Sequence, residues 1–184
     1  MVRRTIAVIV TLALNAALAF AQAPAQPRPP QTYPIFLQAQ YATLKRNITG
    51  SAEKMPAEHF AFRPAPEVMT YAEMIAHVLD VQYSYCSAVK GVANPAAKDL
   101  VKTTTDKAAV IHLAKASFAF CDDVMAALTN ENALEMITVG TAPNQRQVAR
   151  ANQLTMLVVH GNEHYGNIVT YLRIKGIVPP SSAQ

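Results

Sequence analysis

His160 and His164 stand four residues apart in Val158-Val159-His160-Gly161-Asn162-Glu163-His164-Tyr165. On a helix each residue turns the chain by about 100°, so side chains at this spacing project from neighbouring turns of one face. Two imidazoles placed this way can reach one metal ion, as paired histidines do in zinc sites. A third ligand has to come from a distant segment, and His77 in Glu73-Met74-Ile75-Ala76-His77-Val78-Leu79-Asp80 is the candidate. Three imidazoles suit zinc, iron, nickel or copper as a divalent transition metal. Three protein ligands also leave a coordination position open, the arrangement of a catalytic rather than a structural zinc. Such an ion lowers the pKa of bound water or holds a thiolate or oxyanion. Asp80, Glu163 and Asn167 are the candidate partners that would fix an imidazole tautomer. Glu163 is the weakest of them, because its helical angle points it away from both histidines.

The elements that must bring these residues together are helices. Thr70-Tyr71-Ala72-Glu73 reads as a capping box opening a helix that runs to about Lys90 and is stopped by Gly91. Tyr71, Met74, Ile75, Val78, Val81, Gln82, Tyr85, Cys86 and Val89 form its apolar arc. His77 falls about 40° outside that arc, at the border where a ligand can meet both core and solvent. A first helix is expected from about Pro34 to Asn47, ended by Gly50-Ser51, with Phe36, Leu37, Tyr41, Leu44 and Ile48 on its inner face. Asp106 or Thr105 caps a third helix reaching about Thr129, and a fourth is expected from about Gln145 to Lys175. Gly176 and Pro179-Pro180 close that last helix. His160, His164, Asn167 and Tyr171 share a strip along its apolar stripe. His59, in a Pro-punctuated loop, and His112, opposite its helix's buried face, read as surface histidines outside the site. With no strand signal, the fold class expected is all-α, a four-helix bundle whose sites form between facing helices.

The address is legible at the other end of the chain. Arg3 and Arg4, an apolar run from Ile6 to Leu18 and the small residues of Ala19-Phe20-Ala21 spell a signal peptide over residues 1–21. Cleavage after Ala23 is nearly as good a reading. The run is short for a membrane span and Asn15 interrupts it, so no stable membrane anchor is expected. Residues 22–32, with Pro24, Pro27, Pro29 and Pro30, read as a flexible lead to a domain over residues 33–184. The expected location is exported, periplasmic or secreted from a bacterium. Removing Arg3 and Arg4 with the leader lowers the net charge from +4 to +2. No cluster of Lys and Arg with interleaved aromatics is present, so nucleic acid is not an expected partner. The apolar content of 51% is enough to bury one full core. Cys86 and Cys121 sit inside helical patterns, and an oxidising compartment would permit a bridge between them. Two cysteines alone leave disulfide and buried free thiols equally open.

The stretch Phe62-Arg63-Pro64-Ala65-Pro66-Glu67-Val68-Met69-Thr70-Tyr71-Ala72-Glu73-Met74-Ile75-Ala76-His77, together with His160-x-x-x-His164-Tyr165-Gly166-Asn167 and Gly176-Ile177-Val178-Pro179-Pro180, resembles the DinB superfamily. The resemblance spans about Pro34 to Pro180. It implies a four-helix bundle that binds a divalent metal through one histidine of the second helix and two of the last, here His77, His160 and His164. Members are often dimers, which adds a homodimer as a candidate assembly. The family's activities are similar to one another in being thiol chemistry, the transfer of bacillithiol, mycothiol or glutathione, with a mycothiol-dependent isomerase among the relatives. Two departures stand out. Many members carry Arg directly after the last histidine, where this chain has Tyr165, and thiols of that kind are cytosolic while this chain carries an export signal. The family name, from induction by DNA damage, implies no DNA chemistry. The reading that results is a metal-dependent transferase or hydrolase activating a thiol or water, on an unidentified small-molecule substrate. Its alternatives are a non-catalytic periplasmic metal-binding protein and a metal-free interaction bundle with structural histidines.

Overall fold

A computed structural model describes residues 30–183 of the chain. The expected signal peptide and most of the Pro-rich lead lie outside these residues. Helix α1 (Tyr33–Lys54) starts where Pro34 can occupy a first-turn position that has no use for an N–H. It runs through Gly50 and Ser51, where the sequence suggested an end. Ser51 Oγ donates back to Asn47 O at 2.7 Å, and Ser51 O accepts from Tyr71 Oη at 2.7 Å. Tertiary packing thus carries the helix past a weak helix former.

Helix α2 (Tyr71–Lys90) opens with the capping box in full: Thr70 Oγ1 accepts from Glu73 N at 3.2 Å and Glu73 Oε2 from Thr70 N at 2.7 Å. A short α3 (Leu100–Thr103) interrupts the next connection. Helix α4 (Lys107–Ala126) is capped by Asp106, which accepts from Ala109 N at 2.9 Å. Two short antiparallel strands follow, β1 (Met136–Val139) and β2 (Arg146–Ala149), with Met136 opposite Ala149 and Val139 opposite Arg146. The all-α expectation is corrected here: the protein is mostly helical, with this hairpin set between α4 and the last helix.

That helix, α5 (Arg150–Ile174), therefore begins later than Gln145, directly off β2. The turn leading into β1 supplies the acceptors its first donors need, with Arg150 N on Glu135 O at 2.8 Å and Ala151 N on Ala133 O at 2.9 Å. The far end closes as foreseen. Gly176, at φ 72°, takes the left-handed position, while Ile177 N donates to Leu172 O at 2.9 Å and Gly176 N to Arg173 O at 3.0 Å.

The four long helices pack as a ring in which α1 and α2 each touch α4 and α5. Side-chain bonds give their directions. Tyr33 meets Thr155 at one end of α1 and Lys54 meets Val178 O at the other, so α1 and α5 run parallel. Arg150 reaches Val89 O while Tyr171 reaches Met69 O, so α2 and α5 run antiparallel. Leu44, Ile48, Ile75, Leu79, Phe118, Leu154, Ile168 and Leu172 fill the middle and are essentially removed from solvent. On α1, Phe36, expected on the inner face, is exposed. On α2 the buried face includes Leu79 and Tyr83, while Val81 and Tyr85, expected inside, are half-exposed. Cys86 and Cys121 are joined in a buried disulfide between α2 and α4, their Cα atoms 5.5 Å apart. No described helix is long and apolar enough to cross a membrane.

Candidate metal centre

Where α2 and α5 face each other, His77 comes off the second turn of α2, and His160 and His164 come off successive turns of α5. The close approach of α5 to the rest of the bundle is set by the residue between the two histidines. Gly161 is buried against α1, and a Cβ placed on it would overlap the Leu44 Cδ2 methyl and lie 3.0 Å from Cδ1. Any larger residue forces Leu44 or the helices themselves to shift.

The three imidazoles offer nitrogen atoms that all lie within 4.8 Å of one another. His77 Nε2 and His160 Nε2 are 3.2 Å apart. Two nitrogens bound to one tetrahedral zinc at Zn–N of about 2.05 Å would be separated by roughly 3.3 Å, so this pair already stands at ligand spacing. The rings meet edge to face, with centroids 4.8 Å apart for His77 and His164 and 4.5 Å apart for His160 and His164. His164 Nδ1 is buried with no hydrogen-bond partner among the described residues. An orphaned nitrogen in such a place costs on the order of 1–3 kcal/mol, and a cation accepting its lone pair would remove that cost. These residues fit a metal ion: three convergent nitrogens, one pair at ligand separation and one buried donor atom with nothing to bind.

Electrostatics favour the basic, uncharged form of the pair from different helices. Burial pushes the His160 pKa down to about 4, helped by the positive charge that His164 and His77 would carry beside it and opposed by Glu163. Burial likewise lowers His77, with His164 adding to the effect and Asp80 opposing it. A neutral imidazole keeps the lone pair that a metal needs.

The expected tautomer-fixing partners make no such bonds. Neither Asp80, Glu163 nor Asn167 hydrogen-bonds to an imidazole among the described residues; Asp80 and Glu163 act through charge alone. The nearest other aromatic is Tyr85, its ring 6.4 Å from that of His160. Tyr165, in the position after the last histidine, is buried and faces elsewhere. Its hydroxyl donates to Ser181 Oγ at 2.9 Å and accepts from Ser181 N at 3.0 Å, tying the C-terminal turn to α5. His59 and His112 are remote from the cluster, and His112 is exposed. Gly161 is the residue sequence reasoning passed over; its sole signal is a glycine in mid-helix between two candidate ligands.

A helical bundle with a three-histidine cluster between its second and last long helices is a recognisable class of protein. Residues 35–183 match the DinB family, and the chain belongs to it. It is similar to the uncharacterised protein YjoA of Bacillus subtilis strain 168, at 29% identity over 133 residues, covering 71% of this chain and 84% of that one. The same fold recurs in a DinB-like protein from Bacillus cereus ATCC 10987, with a TM-score of 0.65 at 17% identity, covering 82% of this chain and 97% of the other. The crystal structure of the DinB-like YjoA gives a TM-score of 0.60 at 21% identity, covering 77% and 92%. A conserved protein from Enterococcus faecalis gives 0.62 at 14% identity, covering 79% and 98%. At these identities the solved structures speak for the fold.

Proposed function

We propose that this protein is an exported metal-dependent enzyme of transferase or hydrolase type, holding one divalent transition metal through His77, His160 and His164. The convergence of three imidazole nitrogens within 4.8 Å, from segments far apart in sequence, is the observation that carries the reading. When bound, the ion supplies Lewis acidity, which lowers the proton affinity of a water or thiol at its open position. The protein's own contribution is to hold His77 and His160 neutral and all three imidazoles in place. Burial keeps His77 and His160 unprotonated, the antiparallel packing of α2 on α5 sets their separation, and Gly161 sets the depth of α5. The Cys86–Cys121 disulfide supports the proposed export, since such bonds persist in oxidising compartments.

Elemental analysis of gently purified protein tests the site. Stoichiometric zinc, nickel or iron is expected in the wild type and none in His77→Ala/His160→Ala/His164→Ala, with both proteins folded by circular dichroism. Wild-type protein that emerges metal-free and also refuses added zinc or nickel would falsify the proposal. Turnover is then sought across esters, epoxides and thiol acceptors. Tight metal uptake with no turnover in any of them would replace the enzyme by a metal-sequestering protein.

A further inference from the structure

One helical turn from the histidines, along both helices that carry them, lies an open cavity of about 250 Å3, floored by the buried Met74 and Tyr171 and rimmed by exposed residues. Met74 precedes His77 by three residues and Asn167 follows His164 by three, so each stands roughly 4.5 Å along its helix from a candidate ligand. Thr170 and Tyr171 extend the α5 wall, and Pro64 and Val68, from the connection before α2, form the outer wall.

Its chemistry is selective. Among the described residues no charged side chain lines it. Arg63 and Glu73, adjacent in sequence to the lining residues Pro64 and Met74, pair with each other at 3.5 Å. Two of the three polar lining groups are committed to the backbone: Tyr171 Oη donates to Met69 O at 2.6 Å and Thr170 Oγ1 to Gly166 O at 3.4 Å. The Asn167 amide is what remains. An alkyl chain laid over the buried Met74 and Tyr171 would gain from leaving water, while an ionic group in its place would find no charged lining residue to pair with. The volume falls just under the roughly 300–1,000 Å3 of drug-sized pockets, which suits a short chain and not a nucleotide or a large conjugated cofactor.

We infer that this cavity receives the apolar part of a small amphiphilic substrate whose electron-rich head sits at the three histidines. The inference rests on the metal reading above, and its test separates the two. Zinc-loaded full-length protein is titrated calorimetrically with acetohydroxamate, hexanohydroxamate and the equally long but anionic monohydroxamate of glutaric acid. Each buried methylene strengthens binding about three- to fourfold, so hexanohydroxamate binds at least about tenfold tighter than acetohydroxamate, and the anionic probe shows no such gain. Met74→Lys erases the gain while leaving zinc content and acetohydroxamate binding unchanged. Val68→Glu, at an exposed position, does the same should Met74→Lys fail to fold. Equal affinity for the short and long neutral probes, or a gain that survives both substitutions, overturns the inference and leaves the metal site standing. If the protein takes no zinc, the cavity is tested alone by titrating 1-hexanol against the 13C-labelled methyl of Met74. A saturable shift then supports the pocket, and an unmoved resonance overturns it.

Discussion

Helix α5 carries two glycines in opposite surroundings, and together they test whether α1 and α5 touch as described. Replacing either with alanine gives the helix the same gain in propensity, about 0.5–1 kcal/mol, because glycine loses more backbone freedom on folding. At Gly166 nothing lies within 4 Å of the new methyl, so the gain is realised and Gly166→Ala should be stabilising by that amount. At Gly161 the methyl collides with Leu44, a side chain fully removed from solvent. Overpacking of this kind costs typically about 1–3 kcal/mol, so Gly161→Ala should fall below Gly166→Ala by that difference. In a domain of this size it corresponds to roughly 2–4 °C in Tm per kcal/mol. Urea denaturation of the two variants beside the wild type reads it directly. Leu44→Ala alone should cost about 2–5 kcal/mol by leaving a cavity, but markedly less in the Gly161→Ala background, because the new methyl enters the space vacated. Two glycine variants of equal stability, or strict additivity with Leu44→Ala, would refute the close approach of α1 to the histidine-bearing segment.

Cys86 and Cys121 are separated by 35 residues, a loop whose closure restricts the unfolded chain by about 4 kcal/mol. Cys86→Ala/Cys121→Ala should therefore lower the urea-derived stability by about 2–5 kcal/mol; free thiols titrating in unreduced, denatured wild type would show the bond absent. The depressed pKa values of His77 and His160 make the metal-free fold sensitive to acid. A group depressed in the folded state contributes stability above its unfolded pKa of about 6.5, and that contribution drains away as pH falls toward the folded value, about 4 for His160. The urea midpoint should drop between pH 7 and pH 5, and His160→Gln should flatten the drop; an unchanged slope in that variant would show that His160 takes no part.

The site was more legible than its support. His160 and His164 announce themselves by a four-residue step, and the Thr70–Glu73 capping box fixes the phase of α2 and hence where His77 points. Both signals are local, carried by residues within a turn of each other. What escaped is non-local. Nothing within a few residues of Gly50 reveals that Tyr71 will bind the carbonyl of Ser51 and keep α1 going to Lys54. The strands Met136–Val139 and Arg146–Ala149 are four residues each, too short for alternation to register, and the turn leading into them caps α5 through Glu135 and Ala133. Asp80, Glu163 and Asn167 have the right chemistry for holding a tautomer, but the rings turn toward one another instead. The disulfide depends on α2 and α4 running side by side, a fact about topology that no spacing encodes.

His77 and His160 lie 83 positions apart along the chain, yet their Nε2 atoms meet at 3.2 Å. No fragment lacking α5 can assemble the trio, and an unfolded chain holds its imidazoles too far apart to chelate in concert. Under the proposed metal reading, cation capture would report completed folding: a chain cut short before the final helix, or one still unwound, presents isolated histidines that cannot chelate together. Occupancy measured in a purified sample would then double as a census of how many molecules have reached their mature form.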